Sequence, residues 1–380
     1  MIKKLVNGHV WQDGGFVDAP LYLEDGMIAG APGEDAGAEA VDMRGAYLLP
    51  GLIDIHTHGC AGVDINAADR AGYERISRFA ATQGTAGFLC SILTDSVEKT
   101  EECIRTAVDA IERPLPGARL LGIHLEGPFL SAAYKGAMPE RLLRTGDTAL
   151  FRRYQELAKG HILYMTAAPE VPGVLPMIRE IAGEVTVAIG HSAAVYAEAM
   201  AAIDAGAKAA THTFNAMRPF HHHEPGIIGA VLESDIYCEA ITDGLHLNPA
   251  TLRLLLKVKG WDRVAAITDS IMAAGLPDGQ YKLGVNDVTV KDGDARLTHG
   301  DARAGSTLTQ SRSLKNLLSF TGKPLGQVTR LLTENPARLL GLDRQGSLCP
   351  GSYADITAVS GEGDILAVFV RGECVYERGV

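Results

Sequence analysis

Two histidines separated by one residue, His56 and His58, are the most specific chemical signal in the sequence. They follow an apolar run and precede Gly59 in the segment PGLIDIHTHG. Alternate side chains of a strand point to the same side, so both imidazoles would face one site. Neutral imidazole is a common ligand of zinc and related metals. Two histidines alone are equally well explained as a buried structural pair, but their place at a strand end favours a metal site.

Four further polar residues each end an apolar run elsewhere in the chain, in the segments HLEGP, IGHS, THTFN and ITDS: Glu126, His191, His212 and Asp269. Polar residues begin wherever strands stop, which accounts for any one of them. It accounts poorly for three histidine-bearing ends together with an acid at two others. If these ends share one edge of a sheet, metal-binding groups and a proton-transferring carboxylate meet at one site.

The elements that would position these residues are eight strand-like apolar runs: 48–55, 85–93, 119–125, 161–167, 185–189, 207–211, 237–241 and 264–268. Most are continuous rather than alternating, as expected for strands buried on both faces. Helical spacing recurs between them, for example in Tyr73, Ile76 and Phe79. The pattern predicts an α/β fold with a closed (β/α)8 TIM barrel, whose active site lies at the carboxyl ends of its strands. A doubly wound open sheet is the alternative.

The two ends of the chain have a different pattern, in which apolar and polar residues alternate. Asp13-Gly14 and Asp25-Gly26 are typical hairpin turns, and Arg371-Gly372 would join two further strands. These features predict that residues 1–47 and 344–380 together form one small β-sandwich-like domain. It would flank a catalytic barrel domain of residues 48–343, with residues 275–304 as an insertion after the last barrel strand.

Composition limits the classes of partner. The chain has 380 residues, a net charge of −11 and no apolar stretch long enough for a membrane span or a signal peptide. Its six cysteines form no CxxC pair, which is typical of free thiols in a reducing compartment, so we expect a cytoplasmic protein. The negative charge argues against nucleic acid or an anionic membrane as a partner. An anionic substrate would need a locally positive site.

The segments HLEGPF, THTFNAM, HHEPG, TDGLH and AGSTLT, with the closing NPARLLG and GSLCPGSYADI, resemble those of the N-acetylglucosamine-6-phosphate deacetylases in the amidohydrolase superfamily. The resemblance covers essentially the whole chain. It implies hydrolysis of the acetamide of N-acetylglucosamine-6-phosphate to glucosamine-6-phosphate and acetate. It also implies a homodimer and one or two divalent ions, zinc or iron.

The resemblance also implies roles for individual residues. Glu126, His191 and His212 would hold one ion, and His56 and His58 with Asp269 and a bridging Glu126 would hold a second. Asp269 would be the catalytic acid and base. The small-molecule amino-sugar substrate would be bound by four residues, part of this contact crossing a dimer interface: Asn215, Ala216 through its backbone, His223 and His246.

Two residues depart from the family pattern. Met138 stands where the family has a histidine that polarises the acetamide carbonyl, and methionine cannot donate a hydrogen bond. His223 stands where the family has an arginine, and histidine lacks its permanent charge and bidentate geometry. An amidohydrolase acting on an N-acyl compound without the phosphate is therefore one alternative. A deaminase and a metal-free scaffold are two others, against which the HLEGP context of Glu126 and the complete ligand set respectively argue.

Overall fold

The computed structural model describes residues 2–12, 14–31, 37–300 and 302–379. Its centre is a sheet of eight parallel strands in chain order, in which each strand pairs with the next. The predicted α/β barrel is confirmed. Its strands are β1 (Leu52–Asp54), β2 (Thr85–Leu93), β3 (Arg119–Glu126), β4 (Ile162–Ala167), β5 (Thr186–Ile189), β6 (Ala209–Ala210), β7 (Tyr237–Ile241) and β8 (Val264–Ile267).

Helices connect successive strands and cover the outside of the barrel. Tyr73 and Ile76 are buried on the first of them, as the helical spacing predicts. Short 3-10 turns lie at Ile65–Ala67, Ala132–Tyr134 and Glu140–Leu142. The helices are α1 (Arg70–Thr82), α2 (Val97–Glu112), α3 (Thr148–Leu157), α4 (Val174–Ile181), α5 (Tyr196–Asp204), α6 (Gly226–Glu233), α7 (Pro249–Lys259), α8 (Gln310–Thr321), α9 (Leu325–Thr329) and α10 (Glu334–Leu339).

The first and last barrel strands meet through the residues that follow them. The Asp269 amide donates to the His56 carbonyl at 2.8 Å, and the His58 amide donates to the Ser270 carbonyl at 2.7 Å. These bonds join the carboxyl ends of β1 and β8. The barrel is therefore closed by the same residues that the sequence marks as functional.

The predicted strand 48–55 is wrong in one respect, because the structure divides it between two sheets. Tyr47–Pro50 belongs to a sheet built from the chain ends, and β1 starts at Leu52. Gly51 lies between them, and its amide donates to the Asp355 carbonyl at 2.8 Å. Both halves are buried, so hydrophobicity alone could not show the break. The predicted strand 207–211 is likewise shorter, at Ala209–Ala210.

Strands from both ends of the chain form two sheets that share one apolar core. Leu5 and Leu23 from one sheet and Ile356 and Phe369 from the other belong to the same buried cluster. This arrangement confirms the predicted β-rich addition to the barrel. The six-stranded sheet has the order Glu373–Glu377, Ile365–Val370, Ile356–Val359, Tyr47–Pro50, His9–Gln12 and Gly15–Val17, and the four-stranded sheet Met27–Ala29, Leu21–Glu24, Lys3–Val6 and Glu39–Asp42.

The predicted turns fall at strand connections where the structure describes them. Asp25-Gly26 joins two antiparallel strands, and Arg371-Gly372 joins two more. Asp13, of the Asp13-Gly14 turn, lies outside the described residues. The domain limits at 47/48 and 343/344 stay a prediction, and the strand Tyr47–Pro50 runs across the first of them.

The insertion predicted at 275–304 contains a three-stranded antiparallel sheet of Gly279–Leu283, Asn286–Lys291 and Asp294–Leu297. A two-stranded ribbon of Gly59–Cys60 and Val63–Asp64 follows β1. None of the helices within the described residues has both the length and the apolar character needed to cross a bilayer.

Gly51 provides a test of the passage between the two sheets. A Cβ atom on this residue would lie 2.4 Å from the Ala86 Cβ and 3.2 Å from the Asp355 carbonyl carbon. We expect Gly51→Ala to lower the free energy of unfolding by about 1–3 kcal/mol through overpacking, and to lower the Tm. The matched control is Gly30→Ala, whose new methyl group would meet no atom within 4 Å. Equal melting temperatures for the two variants would contradict this account.

Candidate metal centre and active site

The structure brings together all six residues that the sequence proposes as metal ligands. In the first group, the Nε2 atoms of His191 and His212 each lie 3.1 Å from Glu126 Oε1 and 3.0 Å from each other. These three side chains are buried at the carboxyl ends of β3, β5 and β6.

The second group lies on the other side of the same carboxylate. His58 Nε2 is 3.1 Å from Glu126 Oε2 and 3.3 Å from His56 Nε2. Asp269 Oδ1 is 3.3 Å from His58 Nε2 and 3.5 Å from His56 Nε2. Glu126 therefore contacts the histidines of both groups.

The backbone at three of these residues adopts a conformation that side chains rarely favour. The φ angle is 46° at His191, 28° at His212 and 49° at Asp269, all in the left-handed region. Such positions cost on the order of 1–3 kcal/mol each and persist only where the surrounding structure enforces them. The segment that follows the insertion helps to hold Asp269, because the Ser306 amide donates to its carbonyl at 2.7 Å.

The Nδ1 atom of each ring points away from the cluster and is called the outer nitrogen here. Its hydrogen-bond partner shows whether Nε2 is free to bind a metal. His191 Nδ1 lies 2.9 Å from the Tyr134 carbonyl oxygen, and His58 Nδ1 lies 3.0 Å from that of Ser91. A carbonyl oxygen can only accept, so in the neutral ring these nitrogens carry the proton and Nε2 presents a lone pair. The converging Nε2 and carboxylate lone pairs repel one another unless protons or a metal ion lie between them.

The spacing of the donor atoms fits such a cation. Metal–ligand bonds of about 2.1 Å in tetrahedral geometry place two ligands of one ion about 3 to 3.5 Å apart. In the first group, His191 Nε2 lies 3.0 Å from His212 Nε2 and 3.1 Å from Glu126 Oε1. In the second group, His58 Nε2 lies 3.1 Å from Glu126 Oε2 and 3.3 Å from His56 Nε2. All four distances fall in this range. The residues present therefore fit a divalent metal, as the resemblance implies.

The electrostatics of the cluster agree with this fit. Burial raises the pKa of Glu126, but the imidazoles of His56 and His58 outweigh it and hold that pKa well below its ordinary value. The same two imidazoles lower the pKa of Asp269 against its burial. Burial lowers the pKa of His58, yet Glu126 and Asp269 raise it to about 9. Without a metal the site collects protons, which a divalent ion would displace.

The six side chains of the two groups are called the ligand cluster below. A cavity of about 420 Å³ opens above them. Of the four residues predicted to bind substrate, Asn215, Ala216 and His246 line it. The His246 ring is oriented by Asp243, whose Oδ2 lies 2.6 Å from its Nδ1. His223 is not among the lining residues. It lies on an exposed loop, where its ring is 4.0 Å from that of His222.

Two arginines of the insertion line the same cavity and were missed in the sequence. Arg303 Nε lies 2.8 Å from Asp294 Oδ1, and Arg296 Nε lies 2.9 Å from Asp294 Oδ2. Both guanidinium groups contact the carboxylate of Asp294, and both side chains line the cavity that also contains His58, Glu126 and Asp269. The sequence offered one indication of their role, because Arg303 directly precedes the AGSTLT segment of the family pattern. The turn-rich sequence around both arginines gave no reason to place them near the barrel.

Met138 lies in the cavity wall with Leu93 and Leu283. All three belong to one apolar cluster, and Met138 is almost wholly buried. The position that departs from the family pattern is therefore part of an apolar side of the cavity.

His124, the histidine of the HLEGP segment, is not part of either donor group. Its ring nitrogens lie 2.8 Å from Ser91 Oγ and 2.9 Å from Thr166 Oγ1. Burial, together with the neighbouring His56, lowers its pKa well below the ordinary value, so it is an uncharged part of the barrel interior.

Comparison with known proteins agrees with the fold. Residues 47–375 match the amidohydrolase family, so the class of the chain is that of metal-dependent hydrolases acting on amides. The N-acetylglucosamine-6-phosphate deacetylase of Bacillus subtilis (strain 168) is 36% identical, over 93% of this chain and 92% of that protein. The N-acetylgalactosamine-6-phosphate deacetylase of Escherichia coli O157:H7 is 32% identical, over 98% and 97%.

A solved structure is similar over almost its whole length. The N-acetyl-D-glucosamine-6-phosphate deacetylase of Mycobacterium smegmatis, as a mutant in complex with N-acetyl-D-glucosamine-6-phosphate, superimposes with a TM-score of 0.92. The identity is 32%, and the match covers 98% of this chain and 99% of that one. Within the amidohydrolase class, the chain belongs to the N-acetylglucosamine-6-phosphate deacetylase family.

The bridging position of Glu126 predicts how metal content responds to substitution. We expect Glu126→Ala to remove metal from both groups, because its Oε1 faces His191 and His212 while its Oε2 faces His58. His58→Ala should remove only the ion of its own group. The measurement is elemental analysis of the purified variants, with His246→Ala as a control that changes the cavity but no ligand. If Glu126→Ala retained the metal content of the wild-type protein, its bridging role would be excluded.

Proposed function

We propose that this enzyme hydrolyses the acetamide of N-acetylglucosamine-6-phosphate to glucosamine-6-phosphate and acetate. The observation that carries the proposal is the convergence of His56, His58, Glu126, His191, His212 and Asp269 beneath one cavity. Relatives that share this chain's length act, by name, on N-acetylhexosamine 6-phosphates. A structural relative is described in complex with the proposed substrate.

The chemistry assigns a role to each part of the site. A divalent ion held by the histidines and Glu126 would act as a Lewis acid and ease the ionisation of water. Asp269 lies beside this group, with its Oδ1 3.3 Å from His58 Nε2, and its carboxylate can accept a proton from the attacking water. The water oxygen forms a bond to the acyl carbon, and the carbon–nitrogen bond breaks. Asp269 returns the proton to the leaving nitrogen.

Recognition of the substrate divides between the two sides of the cavity. Asn215, the Ala216 backbone and His246 would hold the sugar phosphate. Arg303 of the Arg296–Asp294–Arg303 group supplies a charge that His223 does not bring to this cavity. The wall that contains Met138 would contact the acyl methyl group, because a thioether cannot donate to the carbonyl oxygen.

We also propose zinc as the ion, with iron as the alternative, since imidazole and carboxylate suit both.

We propose a homodimer as well. It is supported by two exposed apolar side chains: Phe220, which precedes the His221–223 loop, and Leu245, which precedes His246. Light scattering of the purified protein tests it. The six cysteines are unpaired, four of them buried, and this supports a reducing cytoplasm.

One alternative has support from a particular observation. His223, which replaces the family arginine, lies outside the cavity, and Met138 replaces a hydrogen-bond donor. An N-acyl amino sugar or other N-acyl compound without a phosphate is the second candidate substrate.

The role of Asp269 is tested by Asp269→Asn. An amide cannot transfer the proton, so we expect kcat to fall at least about 100-fold, as general acid–base contributions suggest. Metal content should be retained at the Glu126–His191–His212 group, which elemental analysis checks. A variant with normal metal content and nearly wild-type kcat would remove Asp269 from this role.

The choice of substrate is tested by comparing N-acetylglucosamine, its 6-phosphate and the galacto isomers in steady-state kinetics. We expect the 6-phosphate to have the higher kcat/KM. Arg303→Leu should raise KM for the 6-phosphate about 10-fold, as loss of a charge-assisted hydrogen bond would, with little effect on the unphosphorylated sugar.

The matched control for this comparison is Arg179→Leu, which removes an exposed arginine from α4. An unchanged KM in Arg303→Leu would show that this side chain does not meet the phosphate. If the wild-type enzyme preferred unphosphorylated sugars, the phosphate proposal would fail and the hydrolase class would stand.

A further inference from the structure

A carboxylate is buried inside the barrel beneath the ligand cluster. Glu239 is the third residue of β7, and its side chain is wholly inaccessible to solvent. Barrel interiors are normally filled by apolar side chains. A buried charge is costly unless another charge or several hydrogen bonds compensate it, so this position calls for a compensating group.

The contacts of Glu239 lead to the ligand cluster. Its Oε2 atom lies 3.0 Å from His56 Nδ1 and accepts from the His212 backbone amide at 2.8 Å. Within the described part of the chain, its Oε1 atom has no hydrogen-bond partner, and no lysine or arginine forms an ion pair with it. The neighbouring Tyr164 is uncharged, because burial and the carboxylate itself raise its pKa well above the ordinary value. The compensating charge must therefore reach Glu239 through His56.

His56 differs in this respect from the other three histidines of the cluster. The outer nitrogens of His58, His191 and His212 face backbone carbonyl oxygens, at 3.0, 2.9 and 3.2 Å. His56 alone among the four faces a carboxylate. A carboxylate partner fixes the tautomer with the proton on Nδ1, and it makes Nε2 a stronger electron donor than a carbonyl partner does.

We propose that Glu239 is a positioning residue of the His56–His58 metal site: it fixes the tautomer of His56 and strengthens the binding of an ion there. Its negative charge is balanced through His56 when a cation lies at that ring's Nε2. The inference rests on the metal centre of the proposed function and is independent of which substrate is hydrolysed.

The test is titration of chelator-treated protein with Zn²⁺, in competition with a chromophoric chelator. We expect two ions per chain in the wild-type protein. Glu239→Gln keeps an oxygen that can accept from both His56 and the His212 amide but removes the charge. It should weaken the binding of one ion by about 10- to 100-fold, the usual effect of such outer partners, and leave the other unchanged. The Glu239→Ala variant should bind only one ion per chain.

Ser313→Ala is the matched control, since it removes a buried hydroxyl whose hydrogen bond, of 2.7 Å, is to Thr242 Oγ1 and not to Glu239 or to a metal-binding residue. It should bind both ions as the wild-type protein does. Thermal unfolding of each metal-free variant shows whether it has folded, and Glu239→Gln keeps the test valid if Glu239→Ala has not.

Three results would overturn the inference: one ion in the wild-type protein, unchanged affinities in Glu239→Gln, or an equal loss at both groups. The last would mean that Glu239 only supports the His212 backbone. Two ions with the expected loss, but no deacetylation of the sugar phosphate by the wild-type enzyme, would instead refute the proposed substrate and leave this inference standing.

Discussion

The structure depends on a cluster of electron-pair donors that would repel one another without a cation. Four imidazole nitrogens and two carboxylates converge on a few ångströms, with Glu126 between the two histidine pairs. No flexible segment would hold such groups together, because each could turn away into water. The barrel holds them, since eight short strands fix the starting point of each ligand-bearing turn. The backbone at His191, His212 and Asp269 has a positive φ, which residues other than glycine rarely adopt, so the surrounding barrel must enforce this conformation.

The cluster is also part of what closes the frame. The bonds between the His56 and Asp269 backbones, and between His58 and Ser270, join the first barrel strand to the last. The same residues thus carry side chains that would bind the metal and a backbone that completes the sheet. A substitution that moves one of these metal-binding side chains would therefore also weaken the hydrogen bonds that close the barrel between β1 and β8. This coupling explains why the site can be rigid although two of its strands, β1 and β6, have only three and two residues.

Much of this site could be predicted from the sequence because the chemistry lies at strand ends. A histidine or acid directly after an apolar run is visible without a structure, and the barrel then brings such residues together. The break at Gly51 could not be predicted, since both flanking strands are equally buried. Glu239 was hidden within an apolar strand, and Arg303 within a turn-rich insertion whose position over the barrel depends on tertiary packing. His223 was placed at the substrate by resemblance alone, and within this chain it lies on an exposed loop.

The passage of the chain through Gly51 has a consequence for biosynthesis. The strand Tyr47–Pro50 leads directly into β1, but it pairs in the finished sheet with Ile356–Val359, which is translated after the whole barrel. Until then, one edge of a hydrophobic strand has no partner, and unpaired edges of this kind favour aggregation. The nascent protein therefore carries this unpaired edge throughout synthesis of its barrel, until Ile356–Val359 has been translated and can pair with it.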